Sequence, residues 1–320
     1  MNLPAVAAIS FAVAVVATPL AIVVARRTGI VDRPGELKAQ TVPVPYLGGV
    51  AVFAGTLVGV LAGRPSVAVP LAAALLLGVA DDRFDLPPWL RLAGEVGIGL
   101  TVVATCPVRF TGGVALPALV VVTVLLINGV NLLDGLDLLA GGVVAGAAVA
   151  GALMVHGSVR QLATALAAAL AAFLIFNRPP ARIYLGDGGA YLLGTALTVL
   201  VAGAWAPHLP TRVGLSALAL VAVPAAEVAF AVVRRARGRQ ALTAGDRGHP
   251  YDRLVSRGWP RLAASLAYIG VEVVVAAGAV VLAHRGTLLA VIIFDAAVAL
   301  LLVAAAFAAG ALAPDRGATT

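Results

Sequence analysis

Four stretches of this sequence gather carboxylates, amides and glycines among residues that are otherwise almost wholly apolar. The first is Asp81-Asp82-Arg83-Phe84-Asp85-Leu86-Pro87. Adjacent carboxylates repel, so a doublet ending an apolar run calls for a proton or cation between them, or for open solvent. The second runs from Asn128 through Asn131 and Asp134 to Asp137, four polar groups three residues apart with apolar residues between them. Groups three apart meet on a helix but drift round it over several steps. Gly129 and Gly135 therefore predict a helix that breaks and wraps its polar groups round a pocket; the plain alternative is a turn built from Asn, Asp and Gly. The third, Arg182-Ile183-Tyr184-Leu185-Gly186-Asp187-Gly188-Gly189, sets Asp187 in a glycine turn at the mouth of an apolar run. Glycine lets a ligand approach the backbone, and a carboxylate held there suits a hard cation. The fourth, residues 234–261, is rich in arginine and contains Arg247 and His249. Lys38 is the single lysine against 21 arginines, a compact ammonium that a guanidinium does not always replace.

Acids that hold a hard cation, beside Arg, Lys and His that hold anions, suit a phosphate-bearing substrate. Two unit charges 4 Å apart repel by about 4 kcal/mol at an effective dielectric near 20. A divalent ion and basic side chains offset that repulsion, which is most of what phosphoryl transfer requires.

These residues must be positioned by an apolar scaffold. The 320 residues are 61% apolar and 12% charged, with a mean hydropathy of +1.03, against about 25% charged residues in a soluble domain. A soluble globule, a disordered chain and a secreted disulfide scaffold are excluded; Cys106 stands alone. A net charge of +7 suggests no nucleic-acid partner in a chain of this kind, because where the charges lie matters more than their sum. With about 20 apolar residues per crossing, eleven stretches qualify, or ten if a short one is discounted: 4–25, 47–63, 66–80, 90–106, 117–133, 138–156, 158–176, 189–204, 213–233, 262–283 and 287–311. No period-two alternation of a barrel is present. The expected fold is all-α, a polytopic transmembrane helical bundle in one domain, residues 1–320. The first stretch lacks a basic leader and a cleavage site and reads as an uncleaved helix with the N-terminus outside. On that topology 17 of the 22 Lys and Arg residues face inward, and Arg64, Arg109, Arg160, Arg212 and Arg285 occupy one outer loop each, the positive-inside pattern. Eleven of the fifteen acids share the inner face, and Glu95, Glu227, Glu272 and Asp295 fall within spans. The chemistry belongs to the cytoplasmic side of a multi-pass plasma-membrane protein.

Taken in order, the polar stretches resemble those of the polyprenyl-phosphate N-acetylhexosamine-1-phosphate transferases, which include the MurNAc-pentapeptide translocase. Asp81-Asp82 with Asp85-Leu86-Pro87 resembles the family's aspartate-rich motif, residues 128–137 its Asn-x-x-Asn-x-x-Asp-Gly-x-Asp segment, and residues 180–187 its magnesium-aspartate segment. Residues 32–34 through 43–49 resemble its first inner loop. The resemblance implies attack by a polyprenyl phosphate on a UDP-N-acetylhexosamine, with GlcNAc-1-phosphate favoured over the MurNAc-pentapeptide by Asp85-Leu86-Pro87. It implies Mg2+, replaceable by Mn2+, on Asp187 and Asn131. It puts Asp81 near the lipid phosphate as base or positioning group, with Asp82 in support. It assigns Lys38, Arg247 and His249 to phosphates, and Asn128, Asp134 and Asp137 to the nucleotide. A homodimer is compatible with it. The sequence departs from the family pattern at Gln40, Tyr46, Glu227 and His249-Pro250-Tyr251-Asp252, positions that bear on the sugar and on fine contacts. Two other readings stand beside this one: a transporter using the acids within its spans, and a degenerate relative that only binds lipid.

Overall fold

The structure is a computed structural model, which describes residues 1–34, 42–106, 115–241 and 248–313. Lys38, Gln40 and Arg247 lie outside the described residues. The chain opens with α1 (Leu3–Thr28) and a two-residue antiparallel pair, β1 (Val31–Asp32) with β2 (Val44–Pro45), in which Val31 faces Pro45 and Asp32 faces Val44. Helices α2 (Gly48–Gly63), α3 (Ala68–Phe84), α4 (Pro88–Thr105), α5 (Ala115–Leu133), α6 (Leu139–Met154), α7 (Gly157–Asn177) and α8 (Gly186–Ala204) follow. The rest is α9 (Thr211–Ala219), α10 (Ala222–Arg237), the short α11 (Pro250–Ser256), α12 (Arg261–Arg285) and α13 (Leu288–Ala308).

Every apolar stretch expected to cross a membrane is helical, as it must be where lipid offers the backbone no hydrogen bonds. The stretch 213–233 is not one helix. It divides into α9 and α10, set at 55°, because Pro224 has no N–H for the carbonyl of Leu220. By length and composition α1, α5, α7, α8, α12 and α13 can each cross a bilayer, and α9 with α10 makes a seventh crossing if taken as one bent span. The protein is an all-α, multi-pass membrane protein; eleven full crossings do not follow from helix lengths alone, since α2 and α6 are apolar but only 16 residues each.

The least apolar of the six long helices, α8, is the most enclosed, with 94% of its span buried, whereas α13 is buried over only 11%. It packs against α2, α3, α5 and α6. Close approach comes from small residues. Gly55 and Gly59 of α2 lie against α1 and α7: a methyl on Gly55 would stand 2.7 Å from Ala169 Cβ, and one on Gly59 2.5 Å from Ala165 Cβ. Gly129 has the same use. The expected helix break there does not occur, since α5 runs unbroken through it to Leu133, with the Pro224 carbonyl of α10 seated where a side chain would be. The break falls only at 134–138.

Candidate active site

Three helix ends meet at one end of the bundle. The last turn of α3 brings Asp81 and Asp82, the first turn of α8 brings Asp187, and the α5–α6 turn brings Asp134 and Asp137. α3 stops because Asp85 adopts a left-handed conformation (φ 50°) and Pro88 then opens α4; a short polar side chain tolerates that conformation better than most. The start of α8 is held by backbone. Tyr184 N–H donates to Pro45 O (2.8 Å), and the first amides of α2, Gly48 and Gly49, donate to the carbonyls of Tyr184 and Leu185, each at 3.0 Å.

The first amides of a helix lack internal partners, and Leu185 at the N-cap of α8 supplies no side-chain bond. Asp82 supplies it from another helix: its Oδ1 accepts Asp187 N–H (3.1 Å) and its Oδ2 accepts Gly188 N–H (3.2 Å). A carboxylate is also well placed against the positive end of the α8 dipole. Asp82 thus aims Asp187. Asp81 is buried and accepts three donors, Leu86 N–H (3.0 Å) on Oδ1 with Arg91 Nη1 (3.2 Å) and Tyr191 O–H (2.7 Å) on Oδ2. The Asp187 carboxyl lies within hydrogen-bonding reach of the Asp81 carboxyl and in the field of Asp82 and Arg91. Two carboxyl groups in contact require a proton or a cation.

Asp134 accepts the Gly186 amide. Its proton affinity is raised well above the ordinary carboxylate range, first by removal from water and then by the charges of Asp187, Asp82 and Asp137. Asp137 accepts Ala181 N–H (3.2 Å), and its carbonyl accepts Ser265 O–H (2.8 Å), so it tethers the 178–185 segment to the turn and to α12. Burial raises its proton affinity, against the opposing effects of Ala181 N–H and Arg261. Asn131, half-buried one turn before Asp134, makes no side-chain hydrogen bond among the described residues.

Two expected residues bind glutamates rather than the clustered aspartates. Asn128 donates to Glu95 Oε2 of α4 (2.7 Å) and to Val124 O (2.9 Å). Replacing Asn128 by Leu should leave the buried Glu95 without that donor and cost about 1–3 kcal/mol, measured as a lower thermal unfolding midpoint of the purified protein. His249, 4% exposed, engages Glu227 Oε2 of α10 through Nδ1 (2.9 Å) and stacks on Tyr251 at 5.3 Å. Glu227 Oε1 also accepts Tyr268 O–H (2.7 Å). Tyr251 O–H donates to Leu132 O (2.8 Å), which brings this group against the α5–α6 turn.

Arg91 and Tyr191 are the partners that motif reading did not single out. Tyr191 had a signal, since it follows Asp187 by four residues and so shares its helix face; Arg91 had none, because the Pro87-Pro88 bend brings it back to Asp81. No group of three His, Cys, Asp or Glu among the described residues forms a ready-made metal cage. Mg2+ needs none, since it takes one or two protein oxygens and fills its other positions with water and phosphate. The Asp187 carboxyl, close to that of Asp81, offers oxygen of the kind such an ion takes.

Residues 65–204 match the model of glycosyl transferase family 4. The chain is similar to a Bacillus subtilis protein named "Probable undecaprenyl-phosphate N-acetylglucosaminyl 1-phosphate transferase", 28% identical over 78% of this chain and 76% of that one. A Mycolicibacterium smegmatis decaprenyl-phosphate N-acetylglucosaminephosphotransferase is 29% identical over 79% and 75% of the two chains. A Thermotoga maritima undecaprenyl-phosphate alpha-N-acetylglucosaminyl 1-phosphate transferase is 31% identical over 67% and 68%.

Proposed function

Because the chain belongs to glycosyl transferase family 4, we propose that it transfers N-acetylglucosamine-1-phosphate from UDP-GlcNAc to a polyprenyl phosphate. An oxygen of the lipid phosphate forms a new bond to the sugar-bearing phosphorus, the bond to the bridging oxygen breaks, and UMP leaves with that oxygen. The products are UMP and a lipid pyrophosphate carrying the sugar. The observation that carries this reading is the meeting of Asp82 with Asp187, 105 residues apart in sequence.

Asp187 and Asn131 would hold Mg2+, or Mn2+ in its place. When bound, the ion neutralises charge on the two phosphates as they approach. Asp82 keeps Asp187 on the axis of α8. Asp81 has its oxygens occupied by three donors, an arrangement that suits orienting the lipid phosphate, together with Arg91, more than taking a proton from it. A phosphate needs little deprotonation near neutral pH. His249, held by Glu227, would contact substrate phosphate with Lys38 and Arg247, and Asp134 and Asp137 shape the nucleotide side. Asn128 acts through Glu95. Glu95 and Glu227, two of the acids behind the transport reading, are thus engaged by site residues. On the charge asymmetry, the carboxylate end faces the cytoplasm of a plasma-membrane protein with eleven crossings and its N-terminus outside.

The purified protein with UDP-GlcNAc, Mg2+ and a polyprenyl phosphate should release UMP. Chelation with EDTA should stop release, and added Mg2+ should restore it. A panel of UDP-sugars that yields no UMP would leave the lipid-binding reading in its place, and nucleotide-independent uptake into liposomes would favour transport.

A further inference from the structure

At the end of the bundle away from the carboxylates, a cavity of about 130 Å³ opens between the ends of α2, α3, α7 and α8. Its walls are apolar, with Val67 and Leu162 among them, and Arg64, His156 and His208 join them from three separate connections. None of its lining residues is acidic. His156 and His208 are exposed, and the one side-chain bond found for Arg64 among the described residues is a long one to Ser66 Oγ, 3.4 Å. The cavity also meets Gly157 and Ser158 in the first turn of α7, where the N-cap residue makes no side-chain bond and the first amides want an acceptor. At about 30 Å³ per water the space holds some four waters, enough for a phosphate group.

We infer that this cavity seats the phosphate of an anionic lipid headgroup. A guanidinium pairs with phosphate oxygens through its planar fork, each imidazole has a ring N–H to donate, and the apolar walls take the first carbons of the attached chain. Arg64 and the two imidazoles come from connections far apart in sequence, and the fold alone brings them round one opening. The site is separate from the sugar-phosphate chemistry at the other end, and its occupancy does not depend on that reading.

The test is lipid binding by the full chain in detergent, followed by native mass spectrometry with phosphatidylglycerol, phosphatidylcholine or inorganic phosphate as probe. Phosphatidylglycerol should bind about tenfold more tightly than phosphatidylcholine, and the double variant Arg64→Gln/His208→Gln should lose that preference. Arg64→Lys, which keeps the charge, should retain most of it and shows that a folded variant is being measured. Arg285→Gln, at an exposed site on α12 outside the cavity, should change binding by no more than about twofold. Displacement by inorganic phosphate would identify the phosphate group itself as sufficient; no displacement, with the preference intact, would identify the lipid as its required carrier. Equal binding of the two lipids, or an Arg285→Gln loss as large as that of the double variant, overturns the proposal.

Discussion

Replacing Asp187 by Asn should lower UMP release about 10³-fold or more, equivalent to ~4 kcal/mol of lost transition-state stabilisation, without lowering the thermal unfolding midpoint. The two expectations have different causes. Asp187 holds its place in α8 through its backbone amide, which Asp82 accepts, and Asn leaves that bond intact. Its carboxyl meets Asp81 and feels Asp82, so removing one of three crowded acids relieves repulsion in the ligand-free protein. A site assembled for its ligand rather than for its own stability gives this opposition of activity and stability. UMP release should be measured at saturating UDP-GlcNAc and Mg2+, beside a melting curve for each protein. A variant that melts several degrees lower and keeps a tenth or more of its activity would make Asp187 a structural residue.

The second large effect should come from a residue with no functional group. Gly78 lies one turn before Asp82, and a methyl added to it would run into the Asp187 carbonyl and the Gly188 amide. Both obstacles are backbone, which cannot rotate aside, so Gly78→Ala should push the start of α8 away from α3. Overpacking of this kind costs about 1–3 kcal/mol, and a displacement near 1 Å at the reacting groups costs about 10²-fold in rate. Gly97 of α4 is the control. A methyl there meets nothing within 4 Å, and Gly97→Ala should leave turnover unchanged while stabilising the helix by up to about 1 kcal/mol. Equal turnover in the two variants would show that the α3–α8 contact does not set the position of Asp187.

The helices and the polar stretches were legible in the sequence for one reason: in a chain so apolar, a span must be helical and a carboxylate must be justified. That is why Asp81, Asp82, Asp134 and Asp187 stood out, and the structure gathers these four. The interior of the bundle was not legible. Apolarity in a membrane protein reports contact with lipid, not burial, so α13 reads as the surest span and is the most peripheral, while the glycine-rich α8 reads as a weak span and lies at the centre. Nor was the use of each polar residue legible, because one residue type serves several purposes. Asp82 caps a helix 105 residues away, Asp81 is held by Arg91 and Tyr191, and Asn128 binds Glu95 across two helices. Gly129, expected to break α5, lets α10 approach it instead. Sequence by itself determined which residues needed a partner, since water is absent around them; only the tertiary structure decided which partner, since that depends on helix ends meeting across long separations in the chain.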